Sequence, residues 1–252
     1  MNSYFRLCEQ MWQQWLAGEP TATEAVRRSF DLDAAPEPYL PFQPGDIPLV
    51  VLTTNPGATM PHQRREQIME NRSVLTPQMP YAEAAEVLSR FYCDHLSGQA
   101  ARRIAAQREL ARKSGYSGVL QVECCPWHSA ALPGKTAFMK VLAGDDALME
   151  YVSALRTFLE PHPVLVISAV SSRDSLDAAR LSLSPWLDWQ LRLIALQQAK
   201  AERVALVSKG MRVTCTALVD RSGPAVKAAV LMQGSNQLPG PVGRETLASA
   251  LH

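Results

Sequence analysis

Three short apolar runs constrain this chain more than anything else in it: Leu49–Thr54, Val119–Cys125 and Val164–Val170. Each is too short for a globular helix and is bounded by Pro, Gly or polar loops, which fits a strand buried on both faces. Between and around them the pattern is helical: Asn2–Leu16, then Tyr81–Lys113 as two helices broken near Ser97-Gly98, then Asp145–Leu159, and Asp188–Lys200 starting near Ser184-Pro185. Arg212–Val219 and Val226–Met232 read as strands joined by a hairpin turn at Asp-Arg-Ser-Gly, and a Gly/Pro loop with a short helix follows. Strands alternating with helices predict an α/β fold, a single domain over residues 1–252 with a central, mainly parallel sheet of four to five strands flanked by helices.

Residues 1–46 form an expected N-terminal helix and a Pro-rich connector. The stretch Asp31–Pro48 carries five prolines in eighteen residues, too many for a helix interior or a central strand, so an extended connector is expected. No apolar run is long enough to cross a bilayer, and the N-terminus lacks the basic start and unbroken apolar core of a signal peptide, so a cytoplasmic location is expected. Five cysteines without a regular spacing do not make a disulfide framework; most are expected as buried thiols. The 25 basic and 24 acidic residues nearly cancel. Their distribution is uneven, with three basic against seven acidic in residues 1–46. The basic excess gathers in Ala101–Gly115 and Lys200–Lys227, where Arg102, Arg103, Arg112, Lys113, Lys209 and Arg212 are candidate DNA-backbone contacts. The competing reading of these segments is a solvated helix face.

In a parallel sheet, ligands sit where the carboxyl ends of the strands open into loops. The first such loop, TTNPGATMPHQ, leaves a buried strand through Asn55-Pro56-Gly57. Pro fixes φ and Gly tolerates turn conformations closed to other residues, so the chain exits sharply and Asn55 stands at the strand end with an amide that both donates and accepts. His62, with Gln63 beside it, is close enough in sequence to reach the same pocket and to donate to an anion or take a proton near neutrality. The second loop, CCPWHS, offers Trp127 to stack on a base and His128 and Ser129 to read its edge, unless Trp127 fills the core beneath a turn.

The segment LVVLTTNPG resembles the first motif of the uracil-DNA glycosylase superfamily, and its Asn form resembles the mismatch-specific and single-strand-selective branches. The order of elements is similar over residues 45–245, while close matching is confined to Leu49–Gly57. The resemblance implies a three-layer α/β/α domain and assigns Asn55 the positioning of the hydrolytic water, with Pro56 and Gly57 lining the substrate. The family's second motif follows the last strand; the corresponding place holds GSNQLPG, which makes Ser235, Asn236 and Gln237 candidates, Asn236 as a catalytic one. The usual His-Pro-Ser is absent there, so His62 or His128 would compensate in stabilising the leaving base.

Other chemistries fare less well. Adjacent Cys124 and Cys125 with His128 do not make a four-ligand metal set, and the cysteines lack the spacing that the iron–sulfur branches of the superfamily require. No Gly-x-Gly-x-x-Gly or complete phosphate-binding loop is present; Leu132–Thr136, LPGKT, lacks the leading Gly. The expectation is therefore a monomeric, monofunctional DNA glycosylase without metal or cofactor and without membrane association, which flips out a modified or damaged pyrimidine and leaves an abasic site. The departure in the second motif points to a hypermodified cytosine of phage DNA, such as a glucosylated hydroxymethylcytosine, and to antiviral defence. The alternatives are uracil or mismatch repair, a hydrolase acting on free nucleosides or nucleotides, and a non-catalytic DNA-binding module.

Overall fold

The computed structural model describes residues 3–54, 56–71, 74–129, 140–169, 202–206, 215–220, 228–233 and 238–252. The chain divides into two compact units interleaved along the sequence. The first comprises Met1–Leu40, Thr54–Asp94 and Val122–Phe158, the second Pro41–Thr53, His95–Gln121 and Leu159–His252. The fold is α/β, as the alternation of apolar runs and helical stretches predicts.

The sheet has seven strands among the described residues: β1 (Tyr39–Gln43), β2 (Pro48–Thr53), β3 (Gly118–Glu123), β4 (Val164–Ala169), β5 (Glu202–Leu206), β6 (Cys215–Asp220) and β7 (Ala228–Gln233). Their spatial order is β1-β3-β2-β4-β7-β6-β5. β2, β4 and β7 run parallel at its middle, with Val50 opposite Val164 and Val164 opposite Ala228. β7-β6-β5 is an antiparallel run in which Leu218 faces both Val230 and Arg203. Among the described residues the sheet is thus larger than the four to five strands expected, and its middle is parallel as expected. One addition, β1, lies inside the Pro-rich connector. It is an edge strand, and there Pro41 can lack an N–H without breaking a ladder between two neighbours. The other, β5, extends the hairpin β6–β7 by one antiparallel partner. The centre of the sheet is apolar because β2 is sequestered: Leu49, Val50, Val51 and Leu52 are all fully buried.

In this second unit α5 (Gly98–Lys113) and the last helix, α7 (Pro241–Leu251), pack together, and α7 also lies against β5 and β6. Charges tie the helix pair: Arg244 donates to Glu109 at 2.7 Å, and Lys113 reaches Glu109 at 3.0 Å and Glu245 at 3.2 Å. The break expected near Ser97-Gly98 separates α5 from α4 (Tyr81–His95). The expected helix Asp188–Lys200 lies outside the described residues.

The first unit is built on α1 (Ser3–Leu16). Its buried residues Tyr4, Leu7, Cys8, Met11, Trp12, Trp15 and Leu16 recur at three- and four-residue spacing, which puts them on one face. Trp12 and Trp15 stack at 5.1 Å, and each indole N–H finds a backbone carbonyl, Trp12 that of Met79 at 2.7 Å and Trp15 that of Leu32 at 3.1 Å. Tyr4 stacks on Phe158 of α6 (Asp146–Leu159) at 4.9 Å and donates to the Pro38 carbonyl at 2.9 Å. Asp145 caps α6, accepting Leu148 N–H at 2.8 Å, and its other oxygen accepts Thr23 N–H at 2.7 Å just before α2 (Glu24–Ser29).

α1 ends at Gly18, whose φ of +80° is left-handed. Gly18 N–H bonds the Trp15 carbonyl and Glu19 N–H the Gln14 carbonyl, the paired bonds of a Schellman turn. Arg65, at the start of α3 (Arg65–Asn71), donates to the Leu16 carbonyl at 3.0 Å, a cation on the negative end of α1. Among the described residues no helix is long and apolar enough to cross a membrane. Gly18→Ala is expected to cost about 1–2 kcal/mol, because a Cβ is strained in the left-handed region. Urea unfolding checks this: the midpoint should fall with an unchanged slope.

Candidate functional site

The extended segment between α2 and β1 organises the first unit. Asp31 N–H bonds the His128 carbonyl at 2.8 Å, Ala35 N–H the Gln63 carbonyl at 2.8 Å, and Glu37 N–H the Pro126 carbonyl at 2.9 Å. In return Arg65 N–H bonds the Asp33 carbonyl and Glu123 N–H the Pro38 carbonyl, each at 3.0 Å. A Pro-rich stretch that cannot fold on itself therefore laces two candidate loops together, the one after β2 and the one after β3. Those loops also meet directly: Cys125 N–H bonds the Thr54 carbonyl at 2.9 Å and Ser129 N–H the Gly57 carbonyl at 2.8 Å. Gly57 has φ +89°, which explains Gly at this turn. Pro56 beside it is half-buried.

An open pocket of about 450 Å³ lies at this junction, lined by Arg28, Ser29, Phe30, Asp31, Ala58, Thr59, Arg64 and Ser129. Its volume falls within the range of small-molecule sites. Asp31 is its organising anion, accepting the Thr59 hydroxyl at 2.7 Å and Arg64 at 3.2 Å, while the other arm of Arg64 holds Asp33 at 3.2 Å. Arg28 pairs with Glu24 on an exposed surface.

Elsewhere in the first unit lies a polar group walled off from water. Glu37, Gln63, Tyr92 and His128 are 3 %, 2 %, 5 % and 0 % exposed. The Tyr92 hydroxyl and the Gln63 amide each donate to Glu37 Oε1 at 2.5 Å, and the same amide nitrogen donates to Tyr92. His128 Nε2 stands 3.7 Å from that carboxylate oxygen. Gln63 Oε1 accepts Met60 N–H at 2.5 Å and closes the short 3-10 turn Pro61–Gln63. His62 rides on this turn, half-buried, with its ring 4.5 Å from Phe91 and 5.9 Å from Tyr92. Its Nε2 is buried without a hydrogen-bond partner. Burial, and secondarily the charge of His128, lower the His62 pKa, so its imidazole is neutral at neutral pH. Burial raises the Tyr92 hydroxyl well above its ordinary value, and the Glu37 charge adds to this.

Of the sequence-derived candidates, Pro56, Gly57, His62, Gln63, His128 and Ser129 fall in or beside these two linked loops. Their positions differ in kind. Ser129 lines the pocket; His62 does not line it, and its Nε2 is buried without a partner, whereas the Gln63 amide is spent inside the protein and has no donor left for a ligand. Trp127 is 3 % exposed, so the core-filling alternative holds and its ring has no free face for a base. His128 is fully buried and is not among the residues that line this pocket. Burial pushes the Cys125 thiol up to about 12, which removes it as a nucleophile near neutrality. Asn55, Ser235, Asn236, Gln237, Lys209 and Arg212 lie outside the described residues.

In the second unit Arg102 and Arg112 are exposed on α5, and Arg103 is half-buried. Lys113 is engaged by Glu109 and Glu245, which raise its pKa, so it is a structural ion-pair partner rather than a free cation for phosphate. Glu37, Tyr92, Asp31 and Arg64 were not singled out from the sequence. Glu37 alone carried a signal, a single carboxylate in the apolar, Pro-bounded stretch AAPEPYL, where exposure is not expected. No protein-family model, curated protein or solved structure matches this chain.

Tyr92→Phe leaves two buried polar groups short of a partner and should cost about 1–3 kcal/mol in denaturant unfolding. The lowered His62 pKa sets a sign for acid stability. The unfolded chain binds the proton more readily, so this contribution is present above the ordinary imidazole value and is lost as pH falls below it. Unfolding free energy measured between pH 7 and 5 should decline, and decline less steeply in His62→Asn.

Proposed function

We propose that the protein is a monofunctional DNA glycosylase that extrudes a modified pyrimidine and hydrolyses its N-glycosidic bond. The observation that carries this reading is the pair of backbone bonds, Thr54 to Cys125 and Gly57 to Ser129, which join residues of the loop after β2 to the loop after β3 beside an open pocket. A glycosidic bond breaks largely by dissociation: the electron pair leaves with the base, C1′ becomes cation-like, and water supplies the oxygen that C1′ gains. Such a reaction needs a rigid scaffold that places water and donors to the departing base, more than a strong base or nucleophile. Asn55 takes the water-positioning role in this proposal. His62, a neutral imidazole with an uncommitted nitrogen, takes that of donor to the leaving base.

The three-layer glycosylase architecture, action on DNA and a hypermodified cytosine of phage DNA as substrate belong to the same proposal. The pocket favours the substrate: about 450 Å³ lined by three hydroxyl-bearing side chains and paired charges suits a base with a bulky polar substituent. Exposed Arg102 and Arg112 are the phosphate contacts proposed from the described residues.

The test is incubation of wild type and Asn55→Ala with single- and double-stranded DNAs bearing uracil, hydroxymethylcytosine or its glucosylated form. Released bases are read by mass spectrometry and abasic sites by alkali cleavage. Wild type should release the modified base, and Asn55→Ala should be slower by about a hundredfold or more. Release of uracil alone would remove the defence role. Turnover of free nucleosides with no release from any DNA would replace the reading with a nucleoside hydrolase.

A further inference from the structure

We propose that Glu37 is a positioning residue, which acts through Gln63 and Tyr92 to hold the turn that presents His62; the reaction it serves rests on the glycosylase reading above. A carboxylate only 3 % exposed has given up its hydration, and the groups around it must offset that cost. Three of them gather at one oxygen: the Tyr92 hydroxyl and the Gln63 amide donate to it, each at 2.5 Å, and His128 Nε2 stands 3.7 Å away, beyond hydrogen-bond reach. They come from three separate pieces of chain, namely α4, the 3-10 turn after the Asn-Pro-Gly loop, and the loop after β3. Glu37 itself is anchored through its own N–H to Pro126.

His62 is adjacent to Gln63 in sequence, packs edge-on against Tyr92 and lies closer still to Phe91, the residue before Tyr92, so two of the three neighbours that hold its ring are themselves fixed by Glu37. Gln63 spends its carboxamide on Glu37, Tyr92 and Met60, and its carbonyl on Ala35. The outcome is a firmly held turn on which His62 Nε2 is buried without a hydrogen-bond partner. A rigidly held donor is what stabilisation of a departing anion demands, and a misplacement of about 1 Å costs roughly a hundredfold in rate.

The experiment compares Glu37→Ala, Glu37→Gln and Tyr92→Phe with wild type, well below each protein's melting temperature. Glu37→Ala should lower kcat for base release by roughly ten- to a hundredfold with KM within about threefold. Glu37→Gln keeps an acceptor oxygen for Tyr92 and Gln63 and should restore most of kcat. Tyr92→Phe stands in if Glu37→Ala does not fold. Equal losses in Glu37→Gln and Glu37→Ala, a change confined to KM, or a wild-type rate in Glu37→Ala would each overturn the assignment. Backbone amide exchange in the free protein keeps the two readings apart. If no DNA yields a base, the glycosylase reading fails, and Glu37 is judged by Met60 and Ala35 alone. Their exchange should quicken about tenfold or more in Glu37→Ala and recover in Glu37→Gln; unchanged exchange sinks the positioning role as well.

Discussion

Backbone polar groups have to be satisfied, and a segment with a proline every few residues cannot satisfy them by coiling or by entering the middle of a sheet. From that constraint the first unit follows. The N–H groups of Asp31, Ala35 and Glu37 and the carbonyls of Asp33 and Pro38 look outward for partners, and find them in the chain that follows β2 and in the chain around the end of β3. Two loops far apart in sequence are thereby set at fixed distance from one another, each tied to the same extended strap. Ala34 and Ala35 are fully buried within it, where any larger side chain would force the straps apart.

Burial of Glu37 completes the arrangement at side-chain level. In a small segment bounded by Pro36 and Pro38 the backbone has little freedom, which narrows the directions from which the Glu37 side chain can be presented. Its hydrogen bonds are charge-assisted and lie in a poorly polarisable interior, where such bonds are stronger and an unpaired group is more costly. The same interior leaves His62 neutral, which makes it a donor without the long-range field of a cation.

Much of the fold was legible in the sequence because periodicity reports local environment. The face of α1 is set by Trp12, Trp15 and their neighbours, the β2 run by four consecutive buried residues, and the hairpin β6–β7 by two short runs around a Gly-bearing turn. What escaped was long-range. β1 hides among prolines that argue against a central strand but allow an edge. β5 is a five-residue strand whose role depends on β6 beside it. Trp127 and Lys113 look functional in isolation; only the packing shows one inside the core and the other held by two glutamates from α5 and α7. The two linked loops were foreseen from their place after β2 and β3, whereas Glu37 and Tyr92 were not, since nothing local pairs a residue of the strap with one on α4.

The vicinal thiols at Cys124 and Cys125 carry a last implication. Adjacent cysteines on a surface loop are ordinarily a liability, open to alkylating reagents and to peroxide. Both are fully buried here, and Cys125 holds its proton up to about 12. The chemistry that attacks thiolates finds neither charge nor access at this place. This vicinal pair is therefore structural: two small apolar side chains that fill the base of the loop after β3.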